Sequence, residues 1–394
     1  MVSKFQKKNV LTVSTAHFFH DLYLAFFAPI IPLLMARFGL SLSAAGMLDI
    51  ARRLPSLATP LIGIMADRKP VKYFIILTPG ITAVSMSLIG VATSYWMVFL
   101  LLFIAGLSSV CFHVPAPVIV KGFSGDKIKK GMSFYMSGGA IAGTVGTFVI
   151  TLIITLYGLD KSYLLMLFGI ATSVVLFFRL KNISSVHITQ QKNKKNKQYK
   201  PIRVFLPFFI ILGCFMLFRA GMSLALTLYL PVYLTKSGAS LWFAGISLTI
   251  LNLSGAAGMI GIGYFPDRLS TRKLLFILTF LSVFAMWGLI FFSHIKLLML
   301  VCVVLLGVLL FSSAPLILTL IQHLNSNRPS FLNSIYFTLG FFINVSGILL
   351  VGFTGDHIGL EKTFKICATL PLFSLPFLFF LSKKSKELSS RSLI

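Results

Sequence analysis

The sequence predicts an all-α integral membrane protein with twelve transmembrane helices in two pseudo-symmetric six-helix bundles. Three observations predict this class. Of the 394 residues, 57% are apolar and 11% are charged, whereas soluble domains average about 45–50% and about 25%. The apolar residues form runs of the ~20 residues that a helix needs to cross a bilayer. One loop signature also recurs 200 residues later. This composition excludes soluble enzymes, disordered chains and fibrous repeats.

Twelve apolar runs, each bounded by charged or turn residues, mark the predicted spans. They cover 10–36, 42–66, 71–93, 95–121, 131–157, 161–180, 204–236, 240–265, 273–293, 295–324, 330–354 and 361–382. Residues 1–180 therefore form an N-terminal bundle and residues 204–394 a C-terminal bundle. The polar, basic segment 181–203 has the composition of a solvated cytoplasmic linker. A nucleic-acid-binding arm is the alternative interpretation, and we expect no nucleic-acid partner.

The basic residues that give the net charge of +26 are distributed in a way that predicts the membrane topology. Of the 35 Lys and Arg residues, 26 fall in the tails and in the alternate loops on the side of the termini, and six fall on the opposite side. The positive-inside rule then places both termini in the cytoplasm. His17, His20 and Asp21 interrupt the first apolar run and no A-x-A cleavage site follows, so we expect an uncleaved span and not a signal peptide. We expect a monomeric multi-pass protein of a bacterial inner membrane.

The repeated signature lies in the loops after spans 2 and 8. GIMADRKPVK at 63–72 recurs as GYFPDRLSTRK at 263–273. The shared residues, which are candidate gating residues, are Gly63, Asp67, Arg68, Gly263, Asp267 and Arg268. Pro115 and Pro315 keep the same offset in spans 4 and 10. One shared register for all of these residues indicates an internal duplication.

This pattern resembles the loop signature of the major facilitator superfamily. A narrower resemblance, to the bacterial fosmidomycin-resistance proteins, rests on HFFHD at 17–21, GLSSVCFH at 106–113, SGGAIAGTVG at 137–146 and KTFKICATLPLF at 362–373. The resemblance implies alternating access and an inner-membrane efflux transporter that exchanges protons for drug. It also implies that spans 1, 4, 7 and 10 line a central cavity, where their polar side chains would converge.

Five formal charges lie inside predicted spans: Asp21, Asp49, Arg52, Arg53 and Arg219. Each would cost about 2.5–3.5 kcal/mol if it faced lipid, so these side chains must face one another or a water-filled cavity. Arg219 is a candidate for binding an anionic substrate. Arg52 and Arg53 are further candidates, with Asp49, although pairing with Asp49 is an equally open interpretation.

His17, His20 and Asp21 share one helix face because they are spaced i, i+3, i+4. Asp21 is the candidate proton carrier, with His17, His20 and His113 as candidates for passing the proton, since histidine titrates near neutrality. A satisfied hydrogen-bond cluster is the alternative. Three imidazoles and a carboxylate also suit a transition metal, but the nearby arginines would repel a bare cation, and we expect no bound metal.

We therefore expect a proton-coupled transporter of a small, anionic organic compound, with efflux favoured by the resemblance. Uptake of an organic acid, a phosphonate or a siderophore is the first alternative. An intramembrane metal-dependent enzyme or a free-metal transporter built on H-x-x-H-D is the second. The sequence has no Walker A loop, so we expect no cofactor and the proton gradient as the energy source.

Overall fold

The computed structural model describes residues 5–59, 61–62, 72–125, 128–181, 202–262, 270–322, 324 and 329–381. Within these ranges the regular structure is helical throughout and contains no β-strand. The α-helices are α1 Lys7–Leu24, α2 Phe27–Phe38, α3 Leu42–Arg53, α4 Lys72–Leu88, α5 Tyr95–His113, α6 Ala116–Ser124, α7 Ile128–Tyr157, α8 Met166–Leu180, α9 Leu206–Thr227, α10 Leu230–Lys236, α11 Leu241–Ile262, α12 Thr271–Phe291, α13 Lys296–Phe311, α14 Ser313–Gln322, α15 Pro329–Ile358 and α16 Leu360–Thr369. The all-α membrane fold is as predicted.

Eleven helical segments among the described residues are long and apolar enough to cross a membrane. Eleven of the twelve predicted spans correspond to them. The span predicted at 42–66 stays a prediction, because residues 60 and 63–66 lie outside the described residues. Within its described part, α3 ends at Arg53 and carries three charged residues among its twelve.

Prolines explain why several predicted spans are broken into shorter helices. Proline has no N–H to donate to the carbonyl four residues earlier. Pro29 lies four residues after Ala25, where α1 gives way to α2. Pro55 lies at the start of a 3₁₀ turn that follows α3, and Pro115 separates α5 from α6.

The chain divides into two compact units, and the first contains residues 1–40, 47–192 and 240–249. In this unit α1 packs along α7 and α4, and α4 packs against α5 and α8. A buried apolar core joins these helices, with Val13, Ile76, Phe112, Tyr135 and Leu176 among its residues. Two of the core aromatics, Phe112 and Tyr135, contact histidines of the candidate site.

The second unit contains residues 41–46, 193–239 and 250–394. Here α9 packs on α15 and α16, and α12 packs on α13 and α16. Tyr233 of α10 stacks on the buried ring of Phe364 in α16, with ring centroids 4.2 Å apart. Ser270 begins α12 as an N-cap, since its side chain accepts from Lys273 N at 3.3 Å. The domain limits predicted from the sequence stay a prediction.

Four glycines with left-handed backbone occur at matching places in the two halves of the sequence. Gly39 has φ +62° and Gly238, 199 residues later, has φ +87°. Gly158 has φ +82° and Gly359, 201 residues later, has φ +85°. Because residues with a side chain rarely adopt this backbone conformation, the shared positions support the predicted duplication.

Candidate functional site

His17, Asp21 and His113 come together in the first unit. His17 Nε2 lies 3.0 Å from Asp21 Oδ2, one turn along α1. His113, the last residue of α5, places its Nε2 3.0 Å from the other carboxylate oxygen, Oδ1. Oδ1 is buried, yet it has no aligned hydrogen bond to any described residue. We call these three residues the Asp21 cluster.

Tyr135 of α7 lies behind both histidines. Its backbone oxygen is 2.8 Å from His17 Nδ1, and its hydroxyl oxygen is 3.4 Å from His113 Nδ1. Its ring stacks on the His17 ring, with centroids 4.0 Å apart. Both Nδ1 atoms thus face Tyr135, and both Nε2 atoms face Asp21.

Gly139 of α7 lets this helix approach the Asp21 cluster. A Cβ atom built on Gly139 would lie 2.6 Å from His17 Cε1, 2.9 Å from His17 Nε2 and 3.1 Å from Asp21 Oδ2. The glycine-rich segment 137–146 therefore serves close packing of α7 against α1 at the level of the candidate site.

His20 belongs to a different hydrogen-bond network. It is fully buried, and its Nδ1 lies 3.2 Å from Thr82 Oγ1 of α4. Thr82 donates to Ser108 Oγ at 2.8 Å, and Ser108 donates to the Thr78 carbonyl at 3.0 Å. His20 Nε2 is buried without a hydrogen-bond partner among the described residues. The helical spacing predicted one face for all three residues of α1, but only His17 contacts Asp21.

Asp49, Arg52 and Arg53 of α3 form a compact ion triad. The Asp49 side chain is fully buried. Its Oδ1 accepts from Arg52 Nε at 3.0 Å and from Arg52 Nη2, and its Oδ2 accepts from Arg53 Nε at 2.7 Å. Both arginines thus pair with Asp49, and the triad keeps one net positive charge.

Arg219 of α9 is a buried guanidinium in the second unit. It lies over the Phe215 ring at 5.2 Å. Its Nε has no hydrogen-bond partner, and no acidic side chain pairs with it, within the part of the chain that the structure describes. A buried charge without a counter-charge costs several kcal/mol. The predicted convergence of Arg219 with Asp21 stays a prediction.

The six candidate gating residues, Gly63, Asp67, Arg68, Gly263, Asp267 and Arg268, lie outside the described residues. Sequence reasoning missed Tyr135, Thr82 and Ser108, because each is an ordinary polar residue in an apolar helix. A signal for Tyr135 did exist. It precedes the glycine-rich segment by two residues on the helix that packs against HFFHD.

Comparison with known proteins identifies the family. A family model described as Major Facilitator Superfamily matches residues 13–347. The chain belongs to the major facilitator superfamily. This confirms the predicted family and shows that the protein is a multi-pass membrane transporter of small molecules. Since members of this family are transporters and not enzymes, the alternative of an intramembrane enzyme is wrong.

Two relatives and one solved structure are informative. This transporter is 25% identical to the fosmidomycin resistance protein of Escherichia coli (strain K12), over 95% of this chain and 93% of that one. It is 25% identical to the sialic acid transporter NanX of the same strain, over 59% and 58% of the chains. The crystal structure of a bacterial homolog of the human lysosomal transporter Spinster, inward-facing and occupied, matches it with a TM-score of 0.79. That match has 14% identity and covers 97% and 98% of the chains, which shows the fold alone.

Proposed function

We propose that this transporter couples proton movement to the movement of a small anionic organic compound, exporting the compound from the cell. The observation that carries the proposal is the Asp21 cluster. A carboxylate within a membrane helix contacts the Nε2 atoms of two histidines and lacks a fixed hydrogen bond on one oxygen. Such a group can take up and release a proton without leaving the protein interior.

The anionic character of the substrate rests on Arg219. Its guanidinium is buried and has no counter-charge among the described residues. An anion bound there would supply the missing charge and accept the free N–H. Arg52 and Arg53 are a second positive group, with Asp49 holding their guanidinium planes. We propose that the spare charge of this triad contributes to attracting the substrate.

Binding of proton and substrate is then coupled through charge. A substrate anion bound at Arg219 and a proton bound at the Asp21 cluster each change the affinity of the transporter for the other ligand. This coupling is reciprocal and needs no nucleotide or other cofactor.

The direction of transport is proposed from the relatives. The relative named for fosmidomycin resistance favours export, and the sialic acid transporter favours an acidic compound. Uptake by proton symport is the alternative, because both mechanisms need a titratable acid near the substrate. An organic acid, a phosphonate or a siderophore would be its substrate.

Inside-out vesicles with an acidic lumen separate the two directions. A thermal-shift screen against fosmidomycin, sialic acid, other phosphonates, carboxylates and siderophores first selects the substrate. We expect the labelled substrate, fosmidomycin or sialic acid, to accumulate in the lumen. Accumulation only when the gradient is reversed would show symport. Asp21→Asn should abolish accumulation while binding stays measurable. Asp160→Asn, which removes an exposed carboxylate paired with Arg37, is the matched control and should transport normally. Full gradient-driven transport by Asp21→Asn would remove Asp21 from the mechanism.

One observation favours a second candidate, transport of a metal ion or a metal chelate. The donor atoms of His17, Asp21 and His113 all lie within 4.8 Å of one another. Metal analysis of the purified transporter decides between the two. One metal per chain, lost in His17→Gln, would favour the metal, whereas metal-free protein that transports would favour the proton.

The same proposal places the transporter in a bacterial inner membrane, as a monomer with both termini in the cytoplasm. We propose that the loops around Asp67 and Asp267 close the cytoplasmic side during the cycle. Fusion of a cytoplasm-dependent fluorescent reporter to the C-terminus tests the orientation. An inactive reporter would contradict it.

A further inference from the structure

Tyr135 contacts both histidines of the Asp21 cluster in two different ways. It presents a backbone carbonyl to His17 Nδ1 at 2.8 Å and a hydroxyl to His113 Nδ1 at 3.4 Å. The residue is 3% exposed, and its ring is held against His17 with 14° between the planes. The two groups differ chemically, because a carbonyl only accepts a hydrogen bond, whereas a hydroxyl either donates or accepts.

The carbonyl fixes the tautomer of His17. Since the Tyr135 oxygen can only accept, Nδ1 of His17 must carry the hydrogen. In a neutral ring Nε2 is then a bare lone pair, and it lies 3.0 Å from a carboxylate oxygen that also has only lone pairs. Two acceptors at this distance repel each other unless a cation lies between them, and in metal-free protein that cation is a proton. The His17–Asp21 pair therefore holds one proton in this conformation, on either partner.

The hydroxyl leaves His113 adjustable. The Tyr135 hydroxyl can donate to His113 Nδ1, which leaves the hydrogen on Nε2 facing Asp21. It can also accept from Nδ1, which leaves Nε2 bare. His113 Nε2 lies 3.0 Å from Asp21 Oδ1, so this histidine can replace the lost hydrogen-bond donor when the proton leaves the His17–Asp21 pair.

We propose that Tyr135 is a positioning residue that turns His17 and Asp21 into a site for one proton, and that the conformation seen here is the proton-loaded form. This inference rests on the proposed function and specifies its coupling step. On unloading, one proton passes to water, and the charge of the His17–Asp21 pair changes from zero to minus one. The carboxylate then turns from the Nε2 lone pair of His17 toward the N–H of His113.

The residues packed around Asp21 limit which groups take part in proton binding. Among the described residues, the titratable side chains that face Asp21 are His17 from its own helix and His113 from α5, with Tyr135 of α7 behind them. From α4, the Thr82 hydroxyl oxygen accepts from His20 Nδ1, and the His20 ring lies edge-on to His113 with centroids 5.4 Å apart. His20 therefore belongs to the wall of the site.

Nitrogen-15 NMR of histidine-labelled protein in liposomes tests the inference without any substrate, because protonated and bare imidazole nitrogens give distinct resonances. We expect the signals missing in His17→Gln to belong to a ring whose Nδ1 carries hydrogen. In Asp21→Asn, whose amide can donate to Nε2, the same ring should be neutral with Nε2 bare. A His17 ring with hydrogen on Nε2 and a bare Nδ1 would overturn the tautomer assignment.

Tyr135→Phe separates the contact with His17 from the contact with His113, because it keeps the carbonyl and the stacked ring and removes only the hydroxyl. We expect the His17 resonances to stay in place and those of His113 to shift, together with the pH dependence of transport. Equal shifts at both histidines would show that Tyr135 acts by packing alone and would overturn the inference. Tyr157→Phe, which removes an exposed hydroxyl from the same helix, is the control. If the NMR result holds and no proton movement accompanies transport, the proposed coupling fails and the tautomer assignment stands.

Discussion

Replacing Gly139 by alanine tests whether close approach of α7 holds the Asp21 cluster together. The added methyl group would lie 2.6 Å from His17 Cε1, whereas ordinary contact begins near 3.4 Å. The ring must therefore move by about 0.8 Å, the difference between these two distances. His17 cannot move freely, because its ring is stacked on Tyr135 and its Nδ1 is bonded to the Tyr135 carbonyl. Overpacking of this kind costs about 1–3 kcal/mol.

Gly143→Ala is the matched control, since it lies one turn further along α7 with nothing within 4 Å of its added Cβ atom. Both variants gain the same helix propensity, about 1 kcal/mol for alanine over glycine. The difference between their stabilities therefore measures the clash of the added methyl group with His17. We expect Gly139→Ala to unfold at lower temperature than Gly143→Ala in detergent. In proteoliposomes with an entrapped pH dye it should lose most proton movement. Equal thermal stability and equal proton movement in the two variants would refute the reasoning.

Three further predictions follow from the buried polar contacts. Asp49→Asn should destabilise the protein by about 3–5 kcal/mol, because Arg52 and Arg53 lose their buried counter-charge. Thermal unfolding of this variant beside the control Asp160→Asn measures the loss, and equal unfolding temperatures for the two variants would contradict it. Arg219→Ala should weaken binding of acidic ligands more than of their neutral esters in a thermal-shift titration, whereas equal losses would make Arg219 structural. Thr82→Val should lower the free energy of unfolding by about 1–3 kcal/mol, because it leaves the His20 Nδ1–H unpaired. Thr82→Ser keeps the hydroxyl and should unfold at the wild-type temperature. Unchanged stability of Thr82→Val would argue against the hydrogen-bond network of His20, Thr82 and Ser108.

The sequence predicted the class of fold because membrane insertion imposes a simple rule on it. Every span must be apolar over about 20 residues, so composition and run length alone locate most helices. The apolar signal is weakest at residues 42–66, where Asp49, Arg52 and Arg53 interrupt the run and Pro55 lies just after the end of α3. Charged residues that pair with one another, as Asp49 does with Arg52 and Arg53, lower the hydropathy of a segment without facing lipid.

The candidate site could be predicted only in part, because helical periodicity shows which residues share one face of a helix but not which helix packs against that face. The i, i+3, i+4 spacing grouped His17, His20 and Asp21, but the rings of His17 and His20 point to different helices. Tyr135 could not be predicted from residue type, since it acts partly through its backbone carbonyl. Such a contact depends on how closely α7 approaches α1, and Gly139 sets that distance.

The matched left-handed glycines have a consequence for how the chemistry of the two halves diverged. Pro32 and Pro231, Gly39 and Gly238, and Gly46 and Gly245 share an offset of 199 residues. In that register His20 corresponds to Arg219 and Asp21 to Ala220. The same position thus holds a buried imidazole in one half and a buried guanidinium in the other, each with a nitrogen that lacks a partner among the described residues. The two halves therefore share their turns, whereas the acid and its histidines occur in the first half and a guanidinium without an acidic partner among the described residues occurs in the second.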